Sequence, residues 1–178
     1  AAPSGLSGEE TDTFEKLKVF FATDVAYALE MGTRPQTLYG IADSPVGLAA
    51  WILDHDMVSY ALIARVFDGQ TEGLTRDDVL DSITHYWLTN SGISSSRLYW
   101  EVITGANKLG FFDVKGVSIP VAVSVFPDEI DAVPRSWAER AYPKLIHYNK
   151  VPKGGHFAAW EQAQLFSEEV RAGFRSLR

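Results

Sequence analysis

The sequence contains no cysteine. That excludes disulfides, thiolate nucleophiles, iron–sulfur clusters and cysteine-based zinc sites, while saying little about compartment. It also lacks a basic excess. Lys and Arg number 16 against 23 Asp and Glu, a formal net charge of −7. This argues against nucleic acid as a partner, because phosphate-backbone binding needs a basic patch. No apolar run approaches the roughly 20 residues of a membrane span. The first residues, Ala1-Ala2-Pro3-Ser4-Gly5, have neither the basic nor the apolar region of a signal peptide, and without Met they read as a product of processing or truncation. A cytoplasmic protein is the expectation. Internal repeats and low-complexity tracts are lacking as well.

What is present suffices for a packed core. The chain has 178 residues, of which 46% are apolar, 12% aromatic and 22% charged. That is about one domain in length and too apolar for a disordered segment.

Ser7 and Glu10 fit a capping box, so a helix is expected from there to Gly32, with Phe14, Leu17, Phe21, Val25 and Ala28 on one face. Pro35 and Pro45 open two short helices ending near Asp54. Met57 to Phe67 reads as a helix, and Asp54-His55-Asp56 as a surface turn. Thr75 with Asp78 caps a further helix through Val79, Ile83 and Trp87. Ser94-Ser95-Ser96 precedes another, which contains Tyr99.

After Gly116 the texture changes. Val117 to Phe126 is β-branched and continuous, as in a strand of a parallel sheet buried on both faces. Pro134 to Tyr142 reads as a helix, Lys144 to Tyr148 as a second strand, and Phe157 to Leu177 as one long closing helix. Residues 1–115 are therefore expected to form a helical region, and 116–178 a strand–helix–strand–helix segment. Two strands make a poor sheet alone, so the segment looks like the edge of a larger one.

His156 follows Gly154-Gly155, directly after the second strand. Loops at the carboxyl ends of parallel strands are where bases of doubly wound sheets sit. A histidine packed on Phe157 and Trp160 is the plainer alternative. Asp128, Glu129 and Asp131 follow the first strand in the same way. A carboxylate there can hold the far ring nitrogen of His156 and stabilise its imidazolium, or merely form a solvated acidic turn. Tyr27 and Tyr99 lie on helices among apolar neighbours. Either they are core residues, or their phenols stabilise and protonate a developing alkoxide. His55, His85 and His147 have no ligand-like spacing, so no metal site is expected. There is no G-x-S-x-G elbow, Walker A loop or G-x-G-x-x-G fingerprint.

Five runs share one resemblance: Tyr27 to Thr37, Asp43 to Ile52, Tyr86 to Asn90, Arg97 to Glu101, and Gly154-Gly155-His156-Phe157-Ala158-Ala159. In order and in wording they resemble the microsomal-type epoxide hydrolases of the α/β-hydrolase fold. The match corresponds to the C-terminal part of such an enzyme, a helical lid followed by the last strands and helices of the doubly wound sheet. The resemblance implies that Tyr27 and Tyr99 hold the epoxide oxygen, that Glu129 is the acid and that His156 is the water-activating base. Asp128, next door, competes for the acid's role. The nucleophilic aspartate and the oxyanion segment of the family belong to its N-terminal half, and neither motif appears in this chain.

The implied reaction opens an apolar epoxide to a diol through an alkyl-enzyme ester, with no cofactor and no metal. Trp87, Trp100 and Phe157, with Phe111 and Phe112, form an aromatic surround suited to such a substrate. Detoxification or secondary metabolism is the implied setting. The N-terminal half of the same enzyme is the implied partner, a homodimer is compatible with the resemblance, and the chain alone is expected to be inactive. Ester or haloalkane hydrolysis on the same frame is one alternative, disfavoured by the two tyrosines. A non-catalytic interaction module is another.

Overall fold

The computed structural model describes residues 4–70, 73–105 and 116–178. The chain divides into two compact units, Thr23–Asp113 and Ala1–Ala22 with Val114–Arg178.

The second unit begins with α1 (Gly8–Thr23), opened by the expected capping box. The Ser7 amide donates to Glu10 Oε2 at 2.8 Å and the Glu10 amide to Ser7 Oγ at 3.3 Å. Residues 4–22, expected with the helical region, group instead with the strands. The reason lies in α1's polar face. Lys150 Nζ donates to Glu9 Oε1 at 2.7 Å, Ser136 Oγ to Glu10 Oε1 at 2.6 Å, and Thr13 Oγ1 to the Ala132 carbonyl at 3.3 Å. The Ser136 hydroxyl and the Ser7 amide hold the Glu10 carboxyl down at about 2.

The helical unit holds α2 (Ala26–Thr33), a 3-10 turn over Pro35–Leu38, α3 (Tyr39–Ala42), α4 (Pro45–Leu53), α5 (Met57–Phe67), α6 (Arg76–Leu88) and α7 (Arg97–Thr104). The expected continuous helix from Ser7 to Gly32 is thus two helices, interrupted at Asp24-Val25. Thr23 and Val25 are β-branched and Asp24 competes with the backbone for hydrogen bonds, which weakens a helix at that point. The Thr75–Asp78 capping box is present, with the Asp78 amide 3.2 Å from Thr75 Oγ1 and the Thr75 amide 2.9 Å from Asp78 Oδ2. Leu62, Ile63 and Val66 of α5 pack on Leu74, Val79 and Ile83, with Ala49 and Leu53 of α4 against them.

Gly32 does not cap α2 from outside; it lies within the helix and lets α7 approach. A Cβ there would collide with the Ile103 side chain and stand 3.2 Å from the Tyr99 carbonyl oxygen. This contact joins the helices carrying Tyr27 and Tyr99.

In the other unit, β1 (Val121–Val125) and β2 (Leu145–Lys150) pair in parallel, joined by α8 (Arg135–Ala141). The register runs from Val121 opposite Leu145 to Val125 opposite Lys150. Pro120, which has no N–H, precedes the pairing, so β1 is shorter than its apolar run. Val121 to Ser124 are half-buried and only Val125 is buried, short of the two-faced burial expected. Helices α9 (Ala158–Glu161) and α10 (Ala163–Gly173) replace the single closing helix, separated by Gln162 at φ −136° and ψ 52°. Phe126, Val151 and Ala158, with Leu165 against them, form the core beneath the strand ends.

Replacing Gly32 by Val should overpack the α2–α7 contact and destabilise the helical unit by about 1–3 kcal/mol. Urea unfolding of the chain measures this, and an unchanged midpoint would contradict the close approach.

Candidate active site

Parallel pairing sets the carboxyl ends of β1 and β2 side by side. The Val151 amide donates to the Val125 carbonyl at 3.0 Å, extending the ladder by one step. Beyond it, Asp128 pairs with Gly155 in an isolated parallel bridge, and the Asp128 amide donates to the Gly154 carbonyl at 3.1 Å. Gly154 has φ +108°, in the left-handed region, and a Cβ there would stand 2.8 Å from the Phe126 ring. A Cβ at Gly155 would come within 3.1 Å of the Asp128 carbonyl oxygen. Two glycines are therefore needed for the loop to lie against the exit of β1.

This arrangement brings His156 Nδ1 to 3.1 Å from Glu129 Oε1. An ionised carboxylate can only accept, so the proton of the neutral ring sits on Nδ1 and the lone pair on Nε2. Glu129 Oε1 also accepts the Ile130 amide at 2.8 Å, which steadies it. The Phe157 ring stands edge-on to His156, with centroids 5.1 Å apart. Of the three acidic candidates, Glu129 is the one whose side chain meets the histidine, whereas Asp128 meets the loop through its backbone. Burial, and then the Glu129 charge, raise the Asp131 carboxyl above its ordinary range, and its Oδ1 is buried with no hydrogen-bond partner among the described residues.

In the helical unit the Tyr27 and Tyr99 rings meet edge to face, 5.8 Å apart at 84°. Burial, and then the neighbouring Tyr86, push the Tyr99 phenol above its ordinary value. Tyr27 borders an open cleft of about 520 Å³, lined also by Glu30, Trp51, His55, Asp56 and Met57. Trp87 is half-buried on α6 and Trp100 is exposed on α7, and neither lines this cleft. Phe111 and Phe112 lie outside the described residues.

His55 and Asp56 correct the expectation of a surface turn. Their side chains are 18% and 9% exposed, with His55 Nδ1 2.7 Å from Asp56 Oδ2. The His55 ring lies 5.4 Å from that of Tyr27. Asp56 Oδ1 caps α5, accepting the Val58 and Ser59 amides at 2.9 Å. An aspartate directly before an apolar helical run is a readable capping signal; the packing of His55 on Tyr27 leaves no trace in sequence. Burial works to raise the Asp56 carboxyl, but hydrogen bonds from His55 and Ser59 outweigh it and hold the group well below the carboxylate range.

No family model matches the chain. Among curated proteins, one from Stigmatella aurantiaca that bears the epoxide hydrolase name is 42% identical over 181 residues, covering 97% of this chain and 38% of its own length. Epoxide hydrolase 1 of Oryctolagus cuniculus is 36% identical over 162 residues, covering 87% of this chain and 35% of its own. Among solved structures, the juvenile hormone epoxide hydrolase of Bombyx mori superposes with a TM-score of 0.77 at 28% identity, over 97% of this chain and 43% of that one. The epoxide hydrolase of Aspergillus niger gives 0.73 at 26% identity, over 100% and 42%. The chain thus spans about two-fifths of the length of its relatives, and the stretch it matches is their C-terminal part.

Because the Asp56 carboxyl is depressed in the fold, its contribution to stability is present above the unfolded value near ~4 and is lost as the pH falls through the depressed one. The thermal stability of the helical unit should therefore fall from about pH 4 downward, and Asp56→Asn should flatten that limb while lowering stability at neutral pH. An acid limb of unchanged slope in the variant would contradict the assignment.

By sequence along nearly its whole length and by fold, the chain is similar to the C-terminal part of epoxide hydrolases of the α/β-hydrolase fold.

Proposed function

We propose that this chain supplies the acid, the base and the epoxide-binding phenols of an epoxide hydrolase that converts an apolar epoxide to a vicinal diol. The observation that carries the reading is the contact of Glu129 with His156 Nδ1 at the paired strand ends. The edge-to-face pair Tyr27–Tyr99 supports it from the helical unit.

In the proposed reaction, an aspartate supplied by the N-terminal part of the enzyme attacks a ring carbon. The carbon–oxygen bond breaks, and the leaving oxygen takes a proton from one phenol while the other donates a hydrogen bond. An alkyl ester results. His156 Nε2 then takes a proton from water, the hydroxide attacks the ester carbonyl carbon, and the acyl carbon–oxygen bond breaks to release diol and aspartate. Glu129 holds the ring in the required tautomer and stabilises the imidazolium. The imidazolium returns its proton through solvent to the phenolate.

Residues Thr23–Asp113 are proposed as the lid, and the strand-bearing unit as the end of the hydrolase core. Phe157, beside the base, is the best supported of the aromatic substrate contacts, with Trp87 and Trp100 further candidates. A homodimer and a cytoplasmic location complete the reading; no helix among the described residues is long and apolar enough to cross a membrane. Hydrolysis of an ester or haloalkane would need no phenol pair, which favours the epoxide.

In the enzyme carrying this chain with its N-terminal part, His156→Gln should leave ring opening intact and trap the ester, seen as a covalent mass increment. Tyr27→Phe and Tyr99→Phe should each slow ester formation by about a hundredfold, the usual loss for one oxyanion donor. Normal steady-state turnover in His156→Gln, or normal alkylation in the double phenylalanine variant, would contradict the reading.

A further inference from the structure

The Glu161 carboxylate grips the backbone on both sides of His156. Its Oε2 accepts the Gly155 amide at 2.9 Å and its Oε1 accepts the Phe157 amide at 2.9 Å. Hydrogen bonds to an ionised acceptor are the stronger kind, and two of them from one rigid group fix orientation as well as distance. The opposite side of the loop is held by the Asp128–Gly155 bridge and by the Asp128 amide on the Gly154 carbonyl. His156 thus leaves a segment clamped from the strand side and from the helix side. Glu161 is the last residue of α9, and the backbone departs from helical geometry at Gln162, so its side chain folds back over the turn that precedes its own helix.

We propose that Glu161 is a positioning residue for His156. By fixing the amides at 155 and 157, it keeps Nδ1 on Glu129 and Nε2 directed to the water that cleaves the ester. The proposal rests on the reading of His156 as the water-activating base. Its effect belongs to ester hydrolysis and leaves ester formation alone, because the loop carries the base and neither tyrosine. A carboxylate that merely satisfied orphan amides at the start of α9 would affect folding and not one step over the other.

The test is rapid-quench mass spectrometry with styrene oxide as the probe, on the enzyme carrying this chain with its N-terminal part. Glu161→Gln offers a single carbonyl acceptor and sets an amide NH₂ against the second N–H. Ester formation should stay within about twofold of the parent. Ester decay should slow by roughly tenfold to a hundredfold, the scale of a small misplacement of a catalytic group, so that the covalent adduct accumulates. Glu161→Asp, which keeps the carboxylate, should recover part of the decay rate. His156→Gln run alongside separates the two ideas. If it traps ester while the ester of Glu161→Gln decays at the parent rate, the positioning role is overturned and the base reading stands. If His156→Gln fails to trap ester, the base reading falls and the positioning role with it. Equal losses in formation and decay, tracking the folded fraction in both Glu161 variants, would assign a capping role and overturn the proposal.

Discussion

The site at the strand ends depends on the pairing of two short parallel strands. Parallel strands end at the same edge, so the segments leaving β1 and β2 emerge side by side. The loops of both are then held by backbone contacts between Asp128 and the Gly154–Gly155 pair. Only on that footing can a glutamate and a histidine far apart in sequence sit 3.1 Å apart with Nδ1 toward the carboxylate. Side-chain chemistry here is a consequence of register.

The helical unit uses a different device for a similar end. There a residue without a side chain, Gly32, brings α2 and α7 into contact and sets the two tyrosine rings edge to face. In one unit glycines let a loop lie on a strand end, and in the other a glycine lets two helices touch. Hydrogen bonds then refine each arrangement: Asp56 holds His55 where it packs on Tyr27, and Glu161 holds the amides around His156.

Much of this was legible from residues alone, for physical reasons. The capping boxes at Ser7–Glu10 and Thr75–Asp78 are local, and local hydrogen bonding is written in short spacings. The β-branched run from Val117 to Phe126 and the Gly-Gly-His that follows the second strand mark the strand ends. The resemblance pointed to Glu129 where spacing alone left three carboxylates open, and the contact with His156 falls on Glu129. Other features were hidden because they depend on partners distant in sequence. The attachment of α1 to the strand-bearing unit rests on Glu9, Glu10 and Thr13 meeting Lys150, Ser136 and Ala132. The break at Gln162 and the fold-back of Glu161 have no periodic signature. His55, which the sequence places in a surface turn, is half-buried, packs on Tyr27 and is held by Asp56.

The measurement that tests the central contact most directly is the proton on His156 Nδ1, observed by NMR with the ring nitrogens labelled. A hydrogen bond to a carboxylate should give this proton a downfield, slowly exchanging signal. Glu129→Ala should abolish the signal while Asp128→Ala leaves it in place. A signal that survives the loss of Glu129 and disappears with Asp128 would contradict the assignment of the acid and the geometry built on it.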